Sequence, residues 1–188
     1  MLRPDYPIET ARLTLRPFAA HDLDALYAYQ RLPEVARYLY NDPRDRAATA
    51  DVLARRRAVT TLERAGDILV LAVVVRESGA LAGEVNLGWI SEQHRQGEFG
   101  FVFDPAHHGR GYAREAAVEM LALGFDGLGL HRIVGRCDGR NTASARLMAG
   151  LGLRREAHFV RNELVKGEWT DEVVFAMLAE EWAARPRV

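Results

Sequence analysis

Cysteine is nearly missing from this sequence, and the single one, Cys137, cannot form an internal disulfide. A zinc site of four cysteines, or of two cysteines and two histidines, is excluded for the same reason. Long apolar runs are missing as well. The longest, ILVLAVVV at 68–75, has the length of a strand and is too short to cross a membrane as a helix.

A charge excess of either sign is also missing, because the 25 lysines and arginines nearly balance the 26 aspartates and glutamates. Nucleic-acid binding usually shows as a basic excess, so the charge does not indicate such a partner. The N-terminal stretch MLRPDYPIET lacks the apolar segment and small-residue cleavage site of a secretory signal. We therefore expect a cytoplasmic protein that binds neither nucleic acid nor membrane.

The chain has 188 residues, of which 48% are hydrophobic. It is therefore long enough to bury a core without the help of disulfides or bound metals. No repeat, low-complexity tract or linker divides it. We expect a single domain over residues 1–188, with a core from about 9 to 182.

Hydrophobic periodicity and turn residues predict the order of the elements. An opening strand in TARLTLRPF stops near Pro17, a helix follows behind an Asp22 cap, and a longer polar helix runs to about Ala65. The sequence then predicts a hairpin turning at 78–79, a strand in GEFGFVFD, a helix at 112–125, a strand in HRIVGRCD, a short helix in NTASARLMAGLG and a hairpin turning at 166–167. This order predicts an α/β (α+β) fold whose mixed sheet carries helices on both faces. The helix at 112–125 is a crossover that would make its flanking strands parallel.

Two glycines and two arginines lie in DPAHHGRGYARE, residues 104–115, where a strand becomes a helix. A helix N-terminus leaves backbone N–H groups unpaired, so a glycine turn there can hold an anion. The dinucleotide fingerprint fails because position 114 is Arg114, and the Gly-Lys-Ser/Thr end of the nucleotide P-loop is absent. Taken alone, the two glycines are equally well explained by a tight turn with positive φ.

The segment from His108 to Ala113 resembles the Q/R-x-x-G-x-G/A pyrophosphate loop of the GNAT superfamily of acetyl-CoA-dependent N-acyltransferases. About 28 residues on, CDGRNTASARLMAGLGL is similar to the second segment of that family. The stretches ETARLTLRPF and KGEWTDEVVFAML resemble the RimJ/RimL-type branch, which contains acetyltransferases of ribosomal-protein N-termini. The resemblance implies a GNAT-type, mostly antiparallel sheet whose central strands splay apart to admit the cofactor.

The resemblance also implies acetyl-CoA as cosubstrate, without a metal. The loop would hold its pyrophosphate through backbone N–H groups, and Arg110 and Arg114 would add contacts to phosphates, although each arginine is equally explained as a solvated helix start. The pantetheine arm would bond to the strand backbone at Phe101, Val102 and Phe103. The implied cofactor-binding residues in the loop and the second segment are His108, Gly109, Arg110, Gly111, Tyr112, Ala113, Arg114 and Asn141.

Glu98 matches the acidic position that the RimJ/RimL branch commonly has on this strand, and it is the candidate base that deprotonates the attacking amine, directly or through a water. An exposed strand-end carboxylate is its structural alternative. Backbone N–H groups near Phe101 would stabilise the oxyanion. Ser144 matches a serine near the thiol, and its alternative role is to cap its helix. Asn141 has the same two readings, since it could cap the helix while also contacting the cofactor arm. Many family members protonate the leaving thiolate with a tyrosine, but Met148 stands at that offset here.

The function implied is direct N-acetylation of a primary amine, with a protein N-terminal α-amine suggested by the branch. A small-molecule amine or antibiotic is the alternative acceptor, and a non-catalytic acyl-CoA sensor is the alternative of another class. A nucleotide-binding protein is disfavoured because both nucleotide fingerprints fail. We expect the helices at 20–65 and the hairpin at 160–172 to build the amine pocket, and the hairpin's edge strands to allow a homodimer.

Overall fold

A computed structural model describes residues 1–185, which form one eight-stranded sheet in the order β1-β2-β3-β4-β5-β6-β8-β7. The strands are β1 Ile8–Glu9, β2 Leu13–Pro17, β3 Ile68–Val75, β4 Leu81–Ser91, β5 Gln96–Phe103, β6 Arg132–Asp138, β7 Arg154–Val165 and β8 Glu168–Leu178. The helices are α1 Leu23–Gln30, α2 Pro33–Ala36, α3 Arg46–Ala58, α4 Tyr112–Ala122, α5 Thr142–Gly150 and α6 Ala179–Ala183.

The sheet is mixed and mostly antiparallel, as the sequence predicts. All neighbouring strands in the described chain run antiparallel except β5 and β6, which α4 joins as a crossover. This parallel pair is short, since Gln96–Glu98 lie opposite Arg132–Val134 and no pairing follows within residues 1–185. The two central strands therefore separate after Glu98 and leave a gap in the middle of the sheet.

Helices pack on both faces of the sheet and create two cores. On one face, the α4 stripe of Ala116, Ala117, Met120 and Leu121 is fully buried in the larger cluster, together with Met148 of α5. On the other face, α1 and α3 bury Leu26, Tyr29 and Leu53. The alternation along β5 follows this division, because Phe99 and Phe103 belong to the first core and Val102 packs against the second.

Three local expectations need correction. The polar helix α3 ends at Ala58, well before Ala65, because Val59 is extended and Leu62 pairs with Leu2 in a β-bridge. Asp22 does not cap α1 with its side chain. Its carboxylate instead accepts two hydrogen bonds from Arg16, at 2.7 and 2.8 Å, and one from the Ala19 N–H. The helix at 112–125 is α4 followed by a π-helical turn, Leu123–Gly127.

Within residues 1–185, the helices are all too short or too polar to span a membrane. In the same part of the chain, His, Cys, Asp and Glu side chains do not gather in threes as a metal site requires.

Candidate active site

The glycine turn has the backbone of an anion-binding loop. Gly109 and Gly111 have φ values of 74° and 78°, in the left-handed region that favours glycine. Gly111 is the N-cap of α4, and helical backbone starts at Tyr112. The N–H groups of the first helical turn have no partner inside the helix, so they are free to donate to a ligand placed at the turn.

Two residues from outside the turn fix it in place. The Arg12 guanidinium donates to the Arg110 carbonyl at 2.9 Å and to the Glu115 carboxylate at 2.7 Å. Glu115 also accepts from the Thr10 hydroxyl at 2.6 Å. Burial alone would raise the pKa of Glu115, but these hydrogen bonds hold it below its usual value, so the carboxylate stays charged. The N-terminal segment therefore anchors the loop and the first turn of α4.

A cavity of about 530 Å³ runs from this turn to the gap between β5 and β6, and we call it the long cavity. One wall comes from the segment around α2, and the other from β5, the glycine turn and the start of α5. Its lining residues are Glu34, Val35, Tyr38, Leu39, Phe101, Val102, Phe103, Pro105, His107, His108, Gly109, Gly111, Tyr112, Ala113, Arg114, Asn141, Ala143, Ser144 and Leu147.

Ten of the eleven residues expected to contact the cofactor therefore lie on the long cavity, and Arg110 does not. The Arg110 side chain is exposed, while its carbonyl accepts from Arg12. His108 lines the cavity, and its Nε2 lies 3.1 Å from the Phe103 carbonyl oxygen. The Tyr112 side chain is mostly buried, with the Arg12 guanidinium 5.1 Å from its ring centroid.

The second segment, CDGRNTASARLMAGLGL, places Asn141 and Ser144 beside the gap between β5 and β6. Asn141 is the N-cap of α5, and its side-chain oxygen accepts from the Ser144 N–H at 3.1 Å. Both residues line the long cavity, so the capping role and a ligand contact are compatible. The Ser144 hydroxyl makes no hydrogen bond to any of residues 1–185, and it is therefore free to donate to a ligand there.

A smaller cavity of about 220 Å³, the small cavity, lies at the gap between β5 and β6, where both strands contribute to its lining. The two cavities share six lining residues, which mark where they join: Tyr38, Leu39, Phe101, Val102, Asn141 and Ser144. Polar and charged residues dominate the rest of the small cavity, and they come from β4 to β8 and from the segment after α2: Tyr40, Asn86, Glu98, Arg136, Asp138, Glu163, Thr170 and Glu172.

Glu98 occupies the last position of β5 that pairs with β6, opposite Val134, and its side chain lies on the wall of the small cavity. One carboxylate oxygen is 3.2 Å from Nε of Arg136. Partial burial raises the pKa of Glu98, Arg136 opposes that rise, and the carboxylates of Glu172 and Glu163 add to it. Glu98 is thus a carboxylate with increased basicity that faces a cavity, as a general base requires.

The far wall of the small cavity carries two further carboxylates. Glu172 is only 4% exposed and accepts from Arg136 at 3.3 Å and from the Asn162 side-chain amide at 3.0 Å. Glu163 accepts from the Tyr40 hydroxyl at 2.7 Å. With Glu98, these groups make the small cavity favourable for a positively charged ligand.

The segment after α2 and the β7–β8 hairpin close over the small cavity together. The Lys166 ammonium, at the hairpin turn, donates to the Ala36 carbonyl at 2.6 Å. The Tyr40–Glu163 hydrogen bond makes a second tie between the same elements. The regions expected to build an amine pocket therefore meet here.

Sequence reasoning missed Tyr38, Tyr40, Asn86, Arg136, Glu163 and Glu172 as site residues. Neither tyrosine carries a local signal, because each lies more than 40 residues along the chain from the strands that line the same cavity. Glu172 did carry one, since this carboxylate directly precedes the apolar run VVFAML of β8. Cys137 also lines the small cavity, but burial raises the pKa of its thiol to about 11, which keeps it protonated and unsuited to nucleophilic attack.

The arrangement suits the transfer of a group from an elongated anionic ligand to a cationic one. Anionic groups fit the glycine turn at one end of the long cavity, and a cationic group fits the small cavity. The reacting ends would meet at the junction of the two cavities, beside Ser144 and Glu98.

The family model described as "Acetyltransferase (GNAT) domain" matches residues 12–154. The chain is 33% identical over 175 residues to the uncharacterized N-acetyltransferase YnaD of Bacillus subtilis (strain 168), with 93% of this chain and 98% of that protein covered. It is 24% identical over 170 residues to the spermidine N(1)-acetyltransferase of Escherichia coli (strain K12), at 90% and 88% coverage. The crystal structure of a GNAT-family acetyltransferase from Bacillus anthracis matches with a TM-score of 0.84 and 30% identity, covering 93% of this chain and 99% of that one.

Proposed function

We propose that this chain, which belongs to the GNAT acetyltransferase family, transfers an acetyl group from acetyl-CoA directly to the primary amine of a cationic acceptor. The observation that carries the proposal is the position of Glu98, a carboxylate on the wall of the acidic small cavity, which joins the long cavity through six shared lining residues.

The long cavity is the proposed site of acetyl-CoA. The free N–H groups after Gly109 and Gly111 would hold the pyrophosphate, with Arg114 adding charge. The backbone of β5 at residues 101–103 lies beside the gap, where β6 no longer pairs with it, so it is available to bond the pantetheine arm. The volume of about 530 Å³ and the mixed apolar and polar lining support this assignment.

Glu98 would act as the general base. An α-amine has a pKa of ~8, so a large fraction is protonated at neutral pH and must lose a proton before attack. Glu98 would accept this first proton, directly or through a water. The neutral nitrogen then forms a bond to the carbonyl carbon of the thioester and the carbon–sulfur bond breaks. The sulfur leaves as a thiolate, which is neutralised by the second proton that the nitrogen loses as the amide forms. Ser144 lines both cavities and its hydroxyl is free, which supports its role as the group that contacts the leaving sulfur.

The acceptor that the RimJ/RimL-like motifs support is a protein N-terminal α-amine. A second candidate, a small cationic amine, is favoured by the carboxylates of Glu98, Glu163 and Glu172 and by the modest volume of the small cavity. A curated relative that matches 90% of this chain is named a spermidine N(1)-acetyltransferase, which also supports that candidate.

Release of CoA thiol from acetyl-CoA with a panel of amines tests the proposal. The panel contains peptides that start with Ser, Ala or Met, the same peptides with blocked N-termini, diamines, spermidine and amine antibiotics. Turnover on free peptides that is abolished by blocking assigns a protein N-terminal acceptor. Turnover on spermidine or a diamine assigns a small cationic amine. Tight acetyl-CoA binding with no turnover on any amine contradicts the catalytic proposal and favours a sensor.

A further inference from the structure

We propose, on the basis of the acetyl transfer proposed above, that Arg136 is a positioning residue that fixes the Glu98 carboxylate beside the gap and keeps it in its charged, proton-accepting form. Arg136 lies on β6, two residues beyond the last position that pairs with β5, so its side chain reaches across the opening between the strands. Neither the glycine turn nor the second segment contains it, and it does not line the long cavity.

The Arg136 guanidinium links two carboxylates of different exposure. Its Nε is 3.2 Å from Glu98, which is 39% exposed, and one of its terminal nitrogens is 3.3 Å from Glu172, whose side chain is only 5% exposed. Glu172 is held in turn by the Asn162 amide at 3.0 Å. The buried carboxylate therefore fixes the arginine, and the arginine fixes the accessible carboxylate.

The charged and titratable groups that face Glu98 come from four elements. They are Arg136, Cys137 and Asp138 on β6, Glu163 on β7, Glu172 on β8, and Tyr38 and Tyr40 after α2. Asp138 is paired with Arg140 at 2.8 Å. Arg136 is the cation that contacts Glu98 directly, so it is the group best placed to offset burial and the neighbouring carboxylates.

This geometry makes two substitutions act in opposite directions. Arg136 lowers the pKa of Glu98, whereas Glu172 raises it. Arg136→Gln removes the cation, so the pKa of Glu98 rises and the base form is lost at a higher pH. Glu172→Gln removes a like charge while its amide oxygen can still accept from Arg136, so the pKa of Glu98 falls. A residue that only stabilises the fold would not produce opposite shifts.

The pH dependence of kcat/KM, measured with one amine for all variants, tests the inference. We expect the acid limb of the kcat/KM profile to move up by about one pH unit in Arg136→Gln, so kcat/KM is about tenfold lower at a given pH on that limb. At the alkaline plateau, kcat/KM of the variant and of wild type should be equal. Glu172→Gln should move the limb down, by roughly half a unit. Arg136→Lys keeps the charge and should lie near wild type. Arg132→Gln is the matched control, because Arg132 is on the same strand and pairs with Glu156 away from the cavity.

The pKa of Glu98 itself, from NMR titration of carboxyl-labelled glutamate with Glu98→Gln to assign the resonance, gives a readout that needs no turnover. A higher pKa in Arg136→Gln and a lower one in Glu172→Gln support the role of Arg136. Equal values in both variants and wild type overturn it. If wild type turns over no amine, the proposed function fails while these pKa values still decide the inference. If wild type is active and neither limb moves, only the inference fails.

Discussion

Glu98 combines a fixed backbone with an accessible side chain. Its position opposite Val134 holds the backbone in the sheet, while the loss of pairing beyond it opens space on the β6 side. A strand position of this kind is more rigid than a loop. It therefore suits a general base, whose carboxylate must be held at a defined distance from the proton that it accepts. The same argument applies to Ser144, whose N–H is fixed by the Asn141 cap.

Gly109 tests the anion-binding turn at the level of one residue. A Cβ there would meet no atom within 4 Å, so Gly109→Ala acts only through the positive φ of 74°. We expect a loss of about 1–2 kcal/mol of stability, because an L side chain disfavours the left-handed region, and a weaker affinity for CoA. Chemical denaturation and calorimetric titration with CoA measure both.

Gly150→Ala is the matched control, since a Cβ at Gly150 also meets no atom within 4 Å and its φ is not positive. That variant should gain about 0.5–1 kcal/mol of stability in α5 and keep its CoA affinity. Equal CoA affinity in both variants and wild type would contradict the assignment of the turn.

At the scale of elements, the N-terminal segment matters to a site that it does not line. Arg12 lies just before β2, yet it donates to the Arg110 carbonyl and to Glu115 at the start of α4. This contact connects the edge of the sheet to the glycine turn.

Arg12→Ala should weaken CoA binding about fivefold, because an exposed ion pair with hydrogen bonds contributes about 1 kcal/mol. Isothermal titration with CoA measures the effect. Arg76→Ala is the matched control, since Arg76 donates to the Thr10 carbonyl at 2.8 Å in the same segment but does not touch the turn. A similar loss in both variants would mean that the segment acts only through general stability.

The hairpin closure predicts a selective effect on the acceptor. Lys166→Met keeps most of the side chain but removes the hydrogen bond to the Ala36 carbonyl. The KM for the amine should rise about fivefold, as expected for one hydrogen bond of about 1 kcal/mol, while the Kd of acetyl-CoA stays unchanged. Steady-state kinetics and titration separate the two. A changed acetyl-CoA Kd with an unchanged amine KM would contradict the assignment of the small cavity.

Elements defined by local sequence were predictable. The hairpin over β3 and β4, the parallel crossover through α4 and the cap of α5 all follow from periodicity and turn residues. The end of α3 was not predictable from local sequence. The helix stops at Ala58 because Val59 is extended and Leu62 forms a β-bridge with the distant Leu2. The predicted Asp22 cap was also overridden by a tertiary contact, because the Asp22 carboxylate accepts hydrogen bonds from the strand residue Arg16.

At the scale of the whole molecule, the gap between β5 and β6 joins the two faces of the sheet. The glycine turn and α5 belong to the face with the larger core. The small cavity touches both sides, since Phe99 and Met148 on its wall belong to that core and Val102 packs against the other. The part of the long cavity around the glycine turn was predictable because its residues follow one another along the chain. The individual residues of the small cavity were not, because Tyr38 and Glu172 meet only when both halves of the chain have folded.

Occupation of the long cavity should stabilise the whole fold. At a CoA concentration about 100 times its Kd, the native state gains about 2.7 kcal/mol, which for a chain of this size raises Tm by roughly 5–10 °C. Differential scanning calorimetry with and without CoA measures the shift, and Gly109→Ala at the same CoA concentration should show a smaller one. An unchanged Tm at saturating CoA would contradict a cofactor site in this cavity.

The central claim, base catalysis by Glu98 in an acetyl transfer, is tested most directly by the turnover of Glu98→Gln with the best amine of the panel, alongside its acetyl-CoA Kd. Glutamine keeps the size of the side chain and removes its basicity. We predict that kcat falls by about 10²–10⁴, the usual contribution of a general base, with an acetyl-CoA Kd equal to that of wild type. A variant that retains wild-type kcat across the pH range would contradict the account.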